Sequence, residues 1–280
     1  MEAKNPVLTR LTTAHLPQAL ALSQEMNWPY RLEDWAFAIQ LGQGIGLEHA
    51  GRLIGTALWW PNGETFATAG MIIVTRDFQG RGLGARIFDA LLEELGSRTV
   101  ILNATAEGLE LYRRRGFVPI GEVHQHQGLL AVPPEGGRSS GLRQASSSDL
   151  ERLCQIDQAA VGRPRRRLLE NLMLEGRFTV LETDGVVHGF AVTRRFGRGH
   201  VVGPVIAAQL RDAQTLIETS AAELAAAFVR LDTPAELGLG PWLEAHGLAR
   251  VGAVTTMVRG DPLLAGRNHQ AFALCSQSLG

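Results

Sequence analysis

Three glycines spaced two apart, Gly80, Gly82 and Gly84, sit in the turn Gln79-Gly80-Arg81-Gly82-Leu83-Gly84. Before them runs the apolar, β-branched stretch Met71-Ile72-Ile73-Val74. After them Ile87, Phe88, Leu91, Leu92 and Leu95 recur with helical spacing on one face. Strand, glycine turn and helix in that order make an anion cradle. The first amides of a helix have no partner within it and point at whatever sits before its N-terminus. Glycine lets the backbone approach that anion with no Cβ in the way.

Two familiar phosphate loops do not fit. GxxxxGK[ST] is absent, which argues against a P-loop nucleotidase. GxGxxG is not matched either, and no acidic residue follows at the end of a second strand, as a dinucleotide site requires. The stretch resembles instead the acyl-CoA signature of the GNAT superfamily of N-acetyltransferases: Gln or Arg, two residues, Gly, one residue, then Gly or Ala. A second, separate piece resembles the same family. Leu111-Tyr112-Arg113-Arg114-Arg115-Gly116-Phe117 looks like its Tyr followed by Gly-Phe, and Leu102-Asn103-Ala104-Thr105 fits the preceding strand end. The pieces span residues 1 to about 127 in the family's order.

The resemblance implies roles. Amides from Gln79 through Gly80, Arg81, Gly82, Leu83, Gly84 and Ala85 would hold the CoA pyrophosphate, at the positive end of the helix. Ile72, Ile73 and Val74, on a strand splayed from its neighbour, would offer amides to the pantetheine and the thioester carbonyl, and Asn103 would touch the pantetheine. Amides aimed at that oxygen would stabilise a tetrahedral oxyanion. Tyr112 would protonate the departing thiolate, since a phenol is protonated at neutral pH. Arg81 and Arg86 flank the turn as surface residues or near the 3′-phosphate, and Arg113 to Arg115 read as a solvated helix end. No cysteine lies at a motif position, so the amine would attack the thioester directly.

A general base is not evident. Residues 65–74 contain no Asp or Glu, and Glu64 stands at the far end of that strand. His124 and His126 lie on a later strand and suit proton transfer, but equally suit the surface of an alternating strand. In the family the acceptor sits beside the first helix–helix loop and the late strands. Here that loop holds Trp28, Pro29 and Tyr30, with Asp34 and Trp35 beyond. They read equally well as pocket walls or as a helix-break cluster. Trp59 and Trp60 alternate across a strand, so at most one can face a pocket.

These residues need a framework, and the periodicity supplies one. A strand at residues 7–11 precedes a helix from about His15, broken at Trp28-Pro29-Tyr30. A helix follows over Leu32 to Leu41. Strands are expected near 46–49, 53–60 and 65–74, then the turn and its helix, a strand at 99–103, a short helix at 107–115 and strand material at 117–127. Residues 131–148, with their Pro, Gly and Ser, read as a linker.

The second part repeats the first. Gly51-Arg52-Leu53-Ile54-Gly55 returns as Gly185-Val186-Val187-His188-Gly189. Leu102 to Glu107 resembles Leu231 to Glu236, and Gly116 to Gly121 resembles Gly247 to Gly252. The offsets are 134, 129 and 131, so an internal duplication is expected. The second copy lacks the cradle: Ala207-Ala208-Gln209-Leu210-Arg211-Asp212 contains no glycine, Leu243 stands where Tyr112 would, and Asp232 replaces Asn103. This resembles bacterial two-domain GNAT proteins, in which a divergent C-terminal copy follows an active-looking one. Ile156-Asp157, Gly162-Arg163-Pro164-Arg165 and Val202-Gly203-Pro204 fit that second domain. The divergent copy is expected to close the acceptor pocket: Asp157, Arg163, Arg165, Asp232 and the tail from Arg267 to Gln277 are candidates to line the interface, with Asp157 and Asp232 expected to bind substrate.

The expected fold is α/β of the mixed, α+β kind: two GNAT-like domains, each a mostly antiparallel twisted sheet flanked by helices. The domains would be 1–132, catalytic, and 142–280, divergent, with a linker at 133–141. Composition agrees with a globular chain: 280 residues, 45% hydrophobic, 20% charged, net charge -1. No basic footprint for nucleic acid is present. Two cysteines make neither a disulfide framework nor a zinc site. With no leader and no apolar run of about 18 residues, a cytoplasmic protein is expected, free of metal and membrane, as monomer or homodimer. The expected function is transfer of acetyl from acetyl-CoA to a primary amine of a small acceptor. The alternatives are a sensor that binds acyl-CoA without turnover, or a nucleotide-binding protein using the same turn.

Overall fold

The computed structural model describes residues 5–130, 141–222, 224, 227–261, 266 and 268–280. They form two compact units: residues 1–102 with 196–198, and residues 103–195 with 199–280. The expected linker at 133–141 lies outside the described residues except for Gly141.

The first unit opens with β1 (Val7–Arg10), α1 (Leu16–Glu25), α2 (Leu32–Leu41), β2 (Gln43–His49), β3 (Arg52–Asn62) and β4 (Phe66–Val74). It continues with α3 (Leu83–Leu95) and β5 (Thr99–Ala104), which leads out of the unit. The strands lie in the order β1-β2-β3-β4-β5. The first three pairings are antiparallel and β4–β5 is parallel, with a crossover through α3. α3 buries Ile87, Phe88, Leu91 and Leu95 completely, the apolar face its periodicity requires.

β4 is not a regular strand. Thr56 of β3 pairs with Ile73, yet Leu58, two residues on, pairs with Gly70, so β4 carries an extra residue. Met71 takes up that bulge with a φ of 51°, unusual for a bulky side chain. Thr56 Oγ1 donates to the Met71 carbonyl at 2.8 Å and holds it there. On the other side β4 pairs with β5 only through Phe66–Ala69 and Thr99–Leu102. Beyond that point Gly70 to Val74 stay paired with β3 but have no strand on the β5 side among those described.

The second unit holds α4 (Leu109–Arg113), β6 (Val118–Leu129), β7 (Leu142–Gln144), α5 (Leu150–Val161), α6 (Arg166–Glu175), β8 (Arg177–Thr183) and β9 (Val186–Phe196). Then come β10 (Gly199–Ala207), α7 (Leu210–Ala222), β11 (Phe228–Pro234), α8 (Gly240–Ala245), β12 (Leu248–Arg259) and β13 (Gln270–Ala273). From β7 to β12 the elements repeat β1 to β6 in kind and order; β13 has no counterpart among the described residues of the first copy. Within the stretch expected to be linker, Leu142–Gln144 is therefore a strand, paired with β8.

Strand order in the second unit is β12-β6-β11-β10-β9-β8-β7, with β13 on β10. β6, the last strand of the first copy, is sandwiched antiparallel between β11 and β12 of the second. This pairing goes with the first copy's chain from Asn103 through β6 belonging to the second unit. A core of Leu216, Ile217, Leu231, Leu239, Leu243 and Phe272 packs beneath β10 and β11.

Candidate active site

The glycine turn follows directly from the open stretch of β4. Gly80 and Gly82 have φ of 73° and 74°, which glycine adopts at no steric cost, and Gly82 is the N-cap of α3. Gly84 packs its Cα side towards Val74, where a Cβ would lie 4.0 Å from Cγ2. Gln79 Nε2 donates to the Val74 carbonyl at 2.9 Å, tying the turn to the strand end. The first turn of α3 contains no acidic residue, so nothing in it neutralises the positive helix end. Ile72, Ile73, Val74 and the residues from Gln79 to Ala85 are thus contiguous in one unit, on an open edge that runs into a helix N-terminus.

The flanking arginines lean aside. Arg81 donates to the Asp77 carbonyl and stacks over Phe78, and Arg86 donates to the Pro6 carbonyl at 2.7 Å. Sequence reasoning missed Glu25, at the end of α1. It accepts Thr75 Oγ1 at 2.7 Å and the Arg76 amide at 2.6 Å, fixing the chain where β4 ends. Burial works to raise its pKa, but the bonds from Arg76 and Thr75 hold it below the ordinary value. A lone glutamate at a helix end carries no signal that would have singled it out.

Trp28 and Tyr30 also belong to the first unit. Tyr30 meets Phe196 edge-on at 5.3 Å and lies 6.2 Å from both Trp28 and Trp35. Asp34 is buried; it accepts the Arg31 guanidinium and the Gly197 amide, both at 2.9 Å. Trp59 and Trp60 are both buried, their indole N–H groups donating to Glu94 and to the Ala38 carbonyl. Glu64 is exposed in the turn before β4, at the end remote from Val74.

In the second unit Tyr112 is 7% exposed, and burial pushes its phenol up to about 12. Its ring lies on Gly108 and 6.1 Å from Phe117. Asn103 Nδ2 donates to the Gln277 carbonyl at 2.7 Å, and its Oδ1 accepts Thr256 Oγ1 at 2.7 Å. Gln277 in turn donates to Asp232, whose two oxygens also take Arg230 in a fork at 2.9 and 3.0 Å. Asp157 likewise forms a buried fork with Arg165, at 2.6 and 3.0 Å. His124 and His126 share the face of β6 opposite Gln125, which meets Gln277. His126 is wholly buried. Its Nδ1 lies 3.2 Å from the Leu248 carbonyl, and a Cβ on Gly240 of α8 would stand 3.3 Å from its Nε2. Burial lowers its pKa. His124 sits by Glu122 and Arg250. Of the expected tail, Arg267 lies outside the described residues.

The second copy's counterpart of the splay is closed. β10 pairs with β11 at His200 and Val201 only, then from Val205 to Ala207 with β13. The Leu274 amide donates to the Asp232 carbonyl at 2.8 Å, so the segment bridges β10 and β11. Gly203 is seated so close that a Cβ there would overlap the Leu274 carbonyl. α7 carries Asp212 in its first turn, and Leu243 is buried in the core.

A splayed parallel strand pair, a bulge before the splay and a glycine cradle on the next helix define an acyl-CoA-dependent transferase fold; the order of elements recurs in the second copy without the cradle. Residues 33–135 and 153–273 each match a family described as an acetyltransferase (GNAT) domain. The chain belongs to the GNAT superfamily, as a tandem member, and is an acyltransferase of that family; the family uses acetyl-CoA as co-substrate. It is 27% identical over 234 residues to the uncharacterized N-acetyltransferase YitH of Bacillus subtilis, covering 82% of each chain. It is 26% identical to the holothin acyltransferase of a Pseudoalteromonas strain, covering 78% of this chain and 74% of that one. An acetyltransferase candidate from Pyrococcus horikoshii has the same fold, with a TM-score of 0.84 at 20% identity over 100% of this chain and 98% of the other. Among the described residues no group of His, Cys, Asp or Glu could hold a metal, and no helix is long and apolar enough to cross a membrane.

Proposed function

We propose that the protein moves an acetyl group from acetyl-CoA to a primary amine of a small acceptor, by direct attack on the thioester. Residues 1–132 would form the transferase copy and 142–280 the divergent copy. The observation that carries this reading is the open edge of β4 running from the Met71 bulge into the Gly80–Gly82 cradle. Amides on that edge can pair with the pantetheine as a neighbouring strand would, and the bulge re-aims them towards the thioester oxygen. The helix end takes the pyrophosphate, and Glu25 and Gln79 keep the turn in place without entering it.

Tyr112 acts as the acid. Its burial keeps the phenol protonated far above neutral pH, so it arrives at the leaving thiolate with a proton to give. Asn103 contacts the pantetheine while the Gln277 carbonyl and Thr256 fix its amide. Trp28, Tyr30, His124, His126, Asp157 and Asp232 are the acceptor-side residues of this proposal, and acetyl-CoA is its co-substrate. The protein works in the cytoplasm, as a monomer or homodimer, without metal, membrane or nucleic acid.

The test is thiol release from acetyl-CoA across a panel of primary amines, followed for wild type and Tyr112→Phe. Expected is amine-dependent release that falls about 100-fold or more in the variant, with CoA affinity retained. Undiminished release in the variant overturns the acid assignment. The lack of any Asp or Glu on β4 favours one second reading, a sensor that binds acyl-CoA without turnover. Tight CoA binding with no release for any amine would select it.

A further inference from the structure

The loop between α5 and α6 carries two arginines into the interior of the second unit. Gly162 ends α5 in the left-handed conformation at φ 72° and turns the chain inward. Arg163 and Arg165 are then 6% and 4% exposed. Their surroundings differ. Arg165 spends its guanidinium on both oxygens of Asp157 and on Gly280. Arg163 has one long bond, Nη1 to the Val161 carbonyl at 3.4 Å, and its buried Nε meets no acceptor among the described residues.

A guanidinium offers five donors and stays charged in proteins. Buried without a counter-charge it is costly, and the cost falls only when an anion joins it. Among the described residues, the two buried aspartates of this unit are each claimed by another arginine, Asp157 by Arg165 and Asp232 by Arg230. No carboxylate approaches Arg163 within ion-pair distance among the described residues. Burial, then the neighbouring charge of Arg165, outweighs the attraction of Asp157 and presses its pKa down to about 9, so on balance its surroundings oppose the charge it carries. A methionine or leucine would fill this space without that penalty.

We propose that Arg163 is the anchor of a ligand site in the second copy, and that the ligand is a small organic molecule bearing one carboxylate. One uncompensated positive charge calls for a monoanion, and the planar fork of arginine matches a carboxylate in two parallel hydrogen bonds. Phosphate would bring up to two charges to a place that balances one. The site concerns the second copy alone and requires no turnover to be seen.

The test is thermal unfolding of the full chain in a zwitterionic buffer low in chloride. Probes are acetate, propionate, benzoate, glutamate and inorganic phosphate at equal ionic strength, against wild type, Arg163→Met and Arg165→Met. Expected is that at least one carboxylate raises the wild-type Tm by about 5–10 °C at a hundredfold excess over its Kd. Arg163→Met should lose that rise while keeping or exceeding the wild-type Tm in plain buffer. Arg165→Met, which strands Asp157, should be less stable in every buffer. Three results overturn the proposal: no response to any carboxylate, equal responses in wild type and Arg163→Met, or a loss in Arg163→Met as large as in Arg165→Met. A response to phosphate alone overturns the carboxylate assignment.

Discussion

The Cα of Gly108 faces the ring of Tyr112 one turn later, so closely that a Cβ there would stand 2.8 Å from Cε2 and 3.3 Å from the phenol oxygen. Glycine at this point is a packing requirement: its φ of -85° is open to any residue. Gly108→Ala should therefore leave the helix intact and push the phenol aside. If Tyr112 delivers the proton, kcat should fall about 10- to 100-fold, as a misplacement near 1 Å does, with little change in KM for acetyl-CoA. Steady-state kinetics on the variant checks this, and an unchanged kcat would mean that the position of the phenol does not matter.

The same burial gives Tyr112 a signature in stability. Its folded pKa is raised to about 12, while the unfolded phenol titrates near 10. A raised pKa means that the folded state holds the proton more tightly. The contribution is fully present below about pH 10 and is lost as pH climbs towards about 12. Urea unfolding from neutral pH upwards should show wild type losing stability over that window more steeply than Tyr112→Phe. Parallel profiles for the two proteins would place the phenol in water.

Gly82 is held differently. Its φ of 74° is left-handed, and a Cβ would meet nothing within 4 Å, so the objection to a side chain is backbone strain alone. Gly82→Ala should cost roughly 1–2 kcal/mol, which in a chain of this size lowers Tm by about 2–4 °C per kcal/mol. If the turn relaxes to escape that strain, its amides swing away from the pyrophosphate, and CoA affinity by calorimetry should fall about tenfold or more. A variant with native affinity would move the pyrophosphate elsewhere.

How much of this was legible in the sequence depends on range. The strand, glycine turn and α3 were, because one face of the helix repeats with period 3.6 and glycine marks left-handed positions. The duplication was legible too, since the same order of elements returns. β6 was readable as a strand, but its place between β11 and β12 was not: a period of two names a face, never a partner. The bulge was hidden because the left-handed residue is Met71, with the glycine one position earlier. His126 is buried against α8, which an alternating strand with polar neighbours does not announce. The tail from Arg267 to Gln277 was singled out, but the strand β13 within it was invisible for a different reason. Four residues with no counterpart among the described residues of the first copy carry neither periodicity nor repeat.

β13 bears on how many cofactors one chain can take. In the first copy β4 leaves β5 after Ala69 and its edge stays open. In the second, β10 leaves β11 after Val201, and the chain's own residues 270–273 pair with the freed edge. The Leu274 amide reaches across to Asp232, and Gly203 leaves no room for even a methyl group between β10 and that segment. The cradle has gone as well, with no glycine in the turn between β10 and α7 and Asp212 opposing an anion at its first turn. Calorimetric titration with CoA should therefore saturate at one molecule per chain, and hydrogen exchange at Leu274 should be slow and unaffected by CoA. Saturation at two, or exchange at Leu274 quickened by CoA, would mean that the segment yields its place to the pantetheine and that the second copy has kept a usable cleft.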